Sequence, residues 1–347
     1  MTTEAGDADR RALAAREAPS AASRTQGLRA ADVDLRPATL GDARFAADLW
    51  TAVRSDDPQD PADNEHYWAN PDTKGVVERF IGELESERVA FALQRHTKWE
   101  HTPKRYGNIG GDLLPAFRTA ERLDALFTAM EDRSRADGTA TFTSWTWEDD
   151  ALKLGVLRAR GYTEERRERF WELDLAANRE HLEAMARESR EKMRAQGITV
   201  TTIDRDGDPD RWQKLWRVSE EAEQDVPTTV PHVEGTFEDF MNWMRSPGLR
   251  EDRIWIARDG NAILGVSMLS YPRERGVVQT DWTGMARAAR GKGIARALKC
   301  ETVMQAIALG VDRVRTDNDS TNAPILHLND VMGYRRRPDM IQLMRKS

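Results

Sequence analysis

The segment Thr283–Lys299, TGMARAARGKGIARALK, joins β-type sequence to the start of an amphipathic helix. Gly291 and Gly293 lie at the junction, and positive charges at Arg290 and Lys292 flank them. The first backbone N–H groups of a helix have no partner within the helix, and the helix dipole adds partial positive charge there. Glycine lacks the Cβ atom that would keep an anion away from these groups. The segment therefore predicts a turn that binds an anion the size of a pyrophosphate.

Three other interpretations of this turn are possible. A Walker loop requires Ser or Thr after the lysine, whereas Gly293 follows Lys292. A dinucleotide fingerprint requires a third glycine at the place of Arg296. A solvated basic turn is the simplest interpretation of an isolated Arg-Gly-x-Gly, so the surrounding sequence has to distinguish it from a phosphate site.

Length and composition favour two globular domains. The chain has 347 residues, of which 39% are hydrophobic and 32% are charged. The net charge of −7 and the lack of a long basic stripe exclude a general affinity for nucleic acid. No apolar run approaches the ~20 residues of a membrane span, and no secretion signal is recognisable, so we expect a cytoplasmic protein without membrane contact.

Metal binding and disulfide formation are not expected. The single cysteine, Cys300, cannot form an internal disulfide and agrees with a reducing compartment. The six histidines show no metal-ligand spacing, and we therefore predict no bound metal. The oligomeric state is left open between monomer and homodimer.

An internal repeat divides the chain. Four landmarks recur at offsets between 165 and 172 residues: Val33 with Ile198, Trp50 with Trp216, Arg118 with Arg290, and Gly161 with Gly333. We predict a disordered tail over 1–32, a first α/β domain over 33–175, a charged and solvated helical linker over 176–197, and a second α/β domain over 198–347.

The order of helices and strands is predicted most clearly in the second copy. Asp259-Gly260-Asn261 predicts a hairpin, a strand enters the glycine turn, and the following helix ends at Gly310. Another strand and a shorter helix starting near Asn322 follow, and MIQLMRK is expected to close the sheet of this copy as its final strand. The pattern predicts a mixed, mostly antiparallel sheet flanked by helices.

The second copy resembles the GNAT (Gcn5-related N-acetyltransferase) superfamily. The acyl-CoA motif of that family, Gln/Arg-x-x-Gly-x-Gly/Ala, is matched by Arg290, Gly293 and Ala295. Asn322 near a helix start and the Gly333-Tyr334 pair at its end follow in the family's order. The resemblance implies two GNAT-like domains in tandem, similar in layout to the mycothiol synthase type.

The resemblance implies a binding site for acetyl-CoA as co-substrate. Its pyrophosphate would bind the main-chain N–H groups of the turn, and its pantetheine arm would run between two splayed strands that end near Met285 and Asp317. An N–H near Gly284 and Met285 would polarise the thioester carbonyl. The implied cofactor-binding residues are Met285, Arg290, Gly291, Lys292, Gly293, Ile294, Ala295 and Asn322.

The first copy departs from the motif. Thr119 and Glu121 stand where the second copy has Gly291 and Gly293, and Leu157 stands at the position of Asn329. A carboxylate at this turn would repel a diphosphate, so we expect the first copy to have a structural role and not to bind CoA.

Two residues are candidates for proton transfer. Asp281 lies on the strand that enters the turn and shares a face with Gln279 and Thr283 by strand alternation, so it is a candidate base or amine-holding group. The family's usual acid is a Tyr four residues before the Gly-aromatic pair, where this chain has Asn329, which cannot donate a proton as an acid. Tyr334 is expected to be a core residue, and His327 is expected to be a surface residue.

The acceptor-side candidates are Asp225, Glu221 and Trp282. The two carboxylates follow the first helix of the second copy, where the fold implied by the resemblance forms the acceptor wall. The resulting expectation is an N-acetyltransferase acting by direct attack on a primary amine of a small molecule or natural product. A peptide N-terminus as acceptor, and a non-catalytic acyl-CoA sensor or accessory module, remain as alternatives.

Overall fold

The computed structural model describes residues 29–347. The predicted tail therefore lies mostly outside the described residues. The prediction of disorder is wrong for the last part of this tail. Arg29–Ala30 form strand β1, which pairs antiparallel with the next strand. Ala30 is fully buried, and the Asp32 carboxylate accepts hydrogen bonds from the Arg122 guanidinium.

The first half contains six further strands and four helices. In chain order they are β2 (Val33–Pro37), α1 (Ala43–Val53), α2 (Pro61–Ala69), β3 (Gly75–Leu84), β4 (Glu87–Thr97), β5 (Tyr106–Leu113), α3 (Ala120–Ala136), β6 (Thr141–Trp147), α4 (Ala151–Ala159) and β7 (Thr163–Asp174). Helix α5 (Arg179–Ala195) connects this half to the second.

The second half repeats the order of elements. They are β8 (Thr199–Thr202), α6 (Arg211–Glu223), α7 (Phe237–Met244), β9 (Ile254–Asp259), β10 (Ala262–Ser270), β11 (Gln279–Met285), α8 (Ile294–Ala308), β12 (Arg313–Asp319), α9 (Ala323–Met332), β13 (Arg335–Arg336) and β14 (Met340–Lys346). Within residues 29–347, no helix combines the length and apolar character that a bilayer crossing demands.

The strands of residues 29–347 form one continuous sheet, in the order β1-β2-β3-β4-β5-β6-β14-β7-β12-β11-β10-β9-β8, with β13 paired to β7. Among these strands, only the β5–β6 and β11–β12 pairs are parallel, so the predicted mixed and mostly antiparallel sheet is confirmed. The predicted hairpin is also confirmed, with Gly260 in the left-handed region between β9 and β10.

The final strand belongs to the sheet region of the first half. Met340–Lys346 lies between β6 and β7 and pairs antiparallel with both. The expectation that it closes the sheet of the second copy is therefore wrong. In turn, β7 of the first half pairs along β12 of the second. The sheet region of each half is thus completed by a strand of the other half. The alternating pattern of a strand does not determine which distant strand it pairs with.

We expect Leu343→Ala to destabilise the core of the first half, although Leu343 lies near the end of the chain. Leu343 is 1% exposed and packs in the cluster that holds Leu126 and Phe127 of α3. Removing a buried leucine side chain costs about 2–5 kcal/mol. Urea denaturation should show this loss, whereas Leu309→Ala, at a half-exposed position, should leave the free energy of unfolding nearly unchanged. An unchanged unfolding midpoint for Leu343→Ala would contradict the exchanged strand.

Helix α5 is not the solvated linker that its charges suggested. Leu182, Met185 and Ala186 are buried against α8. Its charged residues bind the same helix, since the Arg190 guanidinium pairs with Glu301 at 2.6 and 2.7 Å. The hydrophobic stripe of α5 stands among many charged residues, so the composition of this segment predicts a solvated helix.

Candidate functional site

A cleft opens where two parallel strands separate. Strands β11 and β12 pair at a single position, Gln279 with Arg315, and then diverge toward the glycine turn. The cleft has a volume of about 850 Å³. It is lined by β11, by the turn, by the start of α8, by the end of β12 and by α9, and also by Glu168 of β7. The first half therefore contributes to the wall of the cleft in the second half.

The turn has the backbone conformation that its glycines predicted. Gly291 and Gly293 adopt φ angles of +77° and +86°, in the left-handed region that favours glycine. Gly293 directly precedes α8, so the unpaired N–H groups of the first helical turn follow it. A Cβ atom at Gly291 would meet nothing within 4 Å, which leaves open space above the main chain for a ligand.

The predicted cofactor-binding residues converge at this end of the cleft. Those that line it are Met285, Arg290, Gly291, Gly293, Ile294, Ala295 and Asn322. Lys292 does not line it, and its carbonyl oxygen accepts a hydrogen bond from the Gln196 side chain at 3.2 Å. A Cβ atom at Gly293 would lie 2.9 Å from Lys192 Nζ. Lys192 and Gln196 belong to the predicted linker 176–197, and their positions beside the turn depend on how α5 packs, which the local sequence pattern does not indicate.

The acidic acceptor-side candidates bind the arginines of the turn instead. The Asp225 carboxylate pairs with the Arg287 guanidinium at 2.8 Å and with Arg290 at 2.7 Å, and these cations lower the pKa of Asp225 to about 2. Glu221 accepts a hydrogen bond from the Arg287 backbone N–H at 3.0 Å. Because both carboxylates already have cationic or N–H partners, the structure does not support their predicted role in holding an ammonium group.

Asp281 lies at a β-bulge. Trp282 pairs with Met268 and Thr280 pairs with Leu269, so Asp281 is the extra residue of β11. A bulge changes the direction of a side chain and interrupts the ladder, and bulges are common beside active sites. The Trp243 indole N–H donates to Asp281 Oδ2 at 2.8 Å. Burial raises the pKa of Asp281 to about 6, the Trp243 hydrogen bond opposes this shift, and the nearby Asp63 adds to it.

A second and smaller pocket meets the cleft at Asp281. It has a volume of about 290 Å³ and lies between α2 of the first half and β11 of the second. Asp63 and Tyr67 of α2 line it together with Gln279 and Asp281. Thr283, which strand alternation would place on the same face, does not line this pocket, because the bulge interrupts the alternation at Asp281. Asp63 Oδ1 is buried without a hydrogen-bond partner in the described part of the chain, and burial raises the pKa of this carboxyl. The contribution of α2 was missed, because it depends on how the halves pack.

Residues Met285 and Trp282 both line the cleft, as their predicted roles require. The backbone carbonyl of Met285 accepts a hydrogen bond from Arg290 Nη2 at 3.3 Å. The bulge, however, interrupts the ladder at Asp281 and not at Gly284 or Met285, which still pair with β10. Trp282 packs edge-to-face on Trp243, with ring centroids 6.2 Å apart.

Asn329 does not line the cleft. Its side chain is fully buried, and its Nδ2 donates to Asn318 Oδ1 at 2.8 Å. The predicted catalytic contact of Asn329 with the thioester is therefore not supported by its position. Tyr334 is buried in the core, as expected, and His327 is exposed at the cleft rim.

One group of side chains offers metal-ligand atoms. Glu220, Glu223 and His232 bring such atoms within 4.8 Å of one another. The His232 Nε2 atom lies at hydrogen-bond distance, 3.0 Å, from Glu220 Oε2, and its Nδ1 atom lies 3.4 Å from Glu223 Oε2, so the imidazole already has carboxylate partners. The sequence spacing of the histidines did not indicate this convergence.

The equivalent turn of the first half is closed by its own side chains. Arg118, the counterpart of Arg290, binds the buried Asp112 at 2.6 Å and also pairs with Asp150. The Thr119 hydroxyl accepts a hydrogen bond from the Arg122 N–H and so caps α3. These contacts occupy groups that an anion would need, in agreement with a structural role for the first half.

Comparison with known proteins identifies the second half by sequence and the whole chain by fold. Residues 212–334 match the model of the acetyltransferase (GNAT) family. No curated protein matches the chain. A tandem GNAT protein from the clavulanic acid biosynthesis pathway superposes with a TM-score of 0.69 at 14% identity, over 90% of this chain and 98% of the other.

Two further solved structures share the fold. A GCN5-related N-acetyltransferase from Sphaerobacter thermophilus has a TM-score of 0.61 at 18% identity, over 91% of this chain and 96% of its own. A GNAT-family acetyltransferase from Colwellia psychrerythraea has a TM-score of 0.56 at 12% identity, over 90% and 99%. Residues 212–334 therefore match an acetyltransferase domain of the GNAT family, and the chain as a whole has the fold of a tandem GNAT protein.

Proposed function

We propose that this protein transfers an acetyl group from acetyl-CoA to a primary amine of a small molecule, by direct attack of the amine on the thioester. The observation that carries the proposal is the position of Asp281, which lines both the large cleft and the small pocket. A carboxylate at the junction of a donor site and an acceptor site can accept the proton that an amine loses on acylation.

The donor site suits a nucleotide diphosphate. Gly291 leaves open space above the main chain of the turn, and the unpaired N–H groups of the first turn of α8 follow Gly293. Lys192 adds a positive charge beside the turn. Acetyl-CoA would place its pyrophosphate here and its thioester deeper, between β11 and β12, where the strands diverge.

The acceptor pocket favours a small cation. Its walls include Asp63 and Asp281, and burial raises the pKa values of both. Repulsion by Asp63 adds to the rise at Asp281, and repulsion by Asp60 adds to the rise at Asp63. An ammonium group placed between them would relieve that repulsion. A volume of about 290 Å³ suits a small molecule better than a folded partner. Because α2 forms one wall, the first half would select the acceptor without binding CoA.

The chemistry then needs no covalent enzyme intermediate. Asp281 is mainly ionised at neutral pH, given its pKa of about 6, and takes the proton from the attacking nitrogen. Main-chain N–H groups of β11 that face the cleft would stabilise the oxyanion. The C–S bond breaks as the amide forms, and the electron pair of that bond leaves with sulfur.

A panel of amines tests this proposal. Purified protein with acetyl-CoA should release free thiol with at least one small primary amine, and more slowly with peptides that carry a free N-terminus. Preference for peptides would instead favour a peptide N-terminal acetyltransferase. Tight CoA binding without turnover for any amine would favour the acyl-CoA sensor, an alternative supported by the buried position of Asn329.

The rate should depend on the ionisation of Asp281. Since its carboxylate is the active form and its pKa is raised to about 6, kcat/KM for a small amine should fall more steeply with decreasing pH once the pH drops below about 6. Asp281→Asn should remove this additional steepening, because the amide does not titrate. A pH profile that is identical in both proteins would contradict the role of Asp281 as the base.

A further inference from the structure

Lys299 is a buried lysine whose ammonium group has no hydrogen-bond partner in the described residues. It lies on the second turn of α8, is 1% exposed, and lines the cleft. Burying a charged group without a partner is costly. The Tyr334 ring and the charge of Asp317 offset part of this cost, but no acceptor among residues 29–347 takes a hydrogen bond from the ammonium group, so it is available to a ligand.

Lys299 lies deep in the cleft. It follows Ile294, the first residue of α8, by five positions, which is about 7.5 Å along the helix from the glycine turn. Its Nζ lies 5.3 Å from the ring centroid of Tyr334. A ligand with its diphosphate at the turn would therefore reach Lys299 with the part that extends between the splayed strands.

Carboxyl groups from three strands line the same cleft as Lys299. They are Asp317 of β12, Asp281 of β11 and Glu168 of β7. Burial raises the pKa values of Asp317 to about 6 and of Glu168 to about 7. The buried thiol of Cys300 is adjacent to Lys299 on α8. Burial lowers the pKa of Lys299 to about 8, against the opposing effects of Cys300 and Asp317.

The proposed reaction requires a group that protonates or stabilises the departing sulfur. The departing sulfur carries an electron pair and requires a proton or a positive charge, and Asn329 is buried against Asn318 and cannot supply either. Among the described residues that line the cleft, Lys299 carries an ammonium group that donates no hydrogen bond to another side chain.

We propose that the Lys299 ammonium group contacts the sulfur of CoA and protonates it as it leaves. This inference rests on the proposed function. As the amine nitrogen bonds to the acetyl carbon, the C–S bond breaks and its electron pair moves to sulfur. A proton from Lys299 Nζ then yields the free thiol and a neutral lysine. The proton that Asp281 took from the amine balances this loss, and solvent in the cleft returns both groups to their starting forms.

Binding experiments test the contact without knowledge of the acceptor. Calorimetry should compare CoA with desulfo-CoA, which lacks the thiol, between about pH 7 and 9. Wild-type protein should prefer CoA most strongly near pH 8, where the bound thiol ionises while Lys299, whose pKa burial lowers to about 8, still carries its proton. The preference there is about tenfold if binding lowers the thiol pKa by two units from about 8.5. Lys299→Met and Lys299→Gln should both lose this preference and bind desulfo-CoA within about twofold of wild type.

Lys153→Met provides the matched control. Lys153 is also a buried lysine, but it lies on α4 of the first half, near Asp112. Its replacement should leave the preference for CoA intact. The role of Lys299 would be overturned if both Lys299 variants kept the preference for CoA over desulfo-CoA. It would also be overturned if the wild-type protein bound both ligands equally well, and in either case the proposed function would stand. Wild-type protein that binds neither ligand would overturn the proposed function as well.

Discussion

Gly293→Glu should reduce the affinity for acetyl-CoA by about 100-fold or more. The substitution places a carboxylate where the diphosphate is expected and covers the main-chain N–H groups of the turn. It also forces a side chain onto a residue with φ of +86°. Losing two charge-assisted hydrogen bonds costs about 3 kcal/mol or more, which corresponds to that factor. Calorimetric titration with acetyl-CoA measures the effect directly.

Gly310→Glu separates ligand binding from backbone strain. Gly310 follows α8 with a φ of +77°, and a Cβ atom there would meet nothing within 4 Å. The same charge and a similar strain of about 1–2 kcal/mol are introduced away from the cleft. Acetyl-CoA affinity close to wild type is expected for this variant. Equal affinities in Gly293→Glu and wild type would refute the assignment of the turn as the diphosphate site.

Asp281→Asn should lower kcat/KM for the best amine of the panel by about 100-fold or more, in the usual range for loss of a general base. The amide is nearly isosteric with the carboxyl, and its oxygen can still accept the Trp243 hydrogen bond. Acetyl-CoA affinity should therefore stay within about twofold of wild type. Thiol release under initial-rate conditions and calorimetry provide the two measurements.

Asp252→Asn is the control for a lost carboxylate on the same domain. Asp252 pairs with Arg250 at 2.9 Å and does not line the cleft. Its replacement should not change the rate of transfer. If Asp281→Asn retained full activity with an unaltered pH profile, the proton would have to leave by another route, and Asp281 would have only a structural role.

Local sequence predicted the elements whose geometry depends on a few neighbouring residues. Gly260, Gly293 and Gly310 each adopt positive φ at the turn or helix end where they were expected. Asn322 is the N-cap of α9, with Pro324 in the first turn. Their conformations follow from backbone sterics and helix-end hydrogen bonding, which act over three or four residues.

The arrangement of strands could not be predicted in the same way. Met340–Lys346 has an alternating pattern that suits any half-buried position in an antiparallel sheet. Whether it pairs within its own half or beside β6 depends on contacts across nearly the whole chain. The burial of α5 depends similarly on α8, which packs against it.

The same distinction between local and long-range features applies to the residues of the candidate site. The glycine turn was found because its chemistry is local, whereas the bulge at Asp281 is defined only by its register with β10. Asp63 was missed because α2 is remote from β11 in sequence. Lys299 was missed because a single lysine in a helix is normally solvated, and its burial results from the packing of α8 on nearly all sides.

The exchange of β14 and β7 also constrains biosynthesis. A nascent chain that has emerged as far as Trp147 lacks the neighbour that β6 needs, and that neighbour begins only at Met340. At 5–20 residues per second, translation leaves the edge of β6 unpaired for roughly 10–40 s. A prematurely terminated product would keep two unpaired strand edges, which are targets for chaperones and proteases.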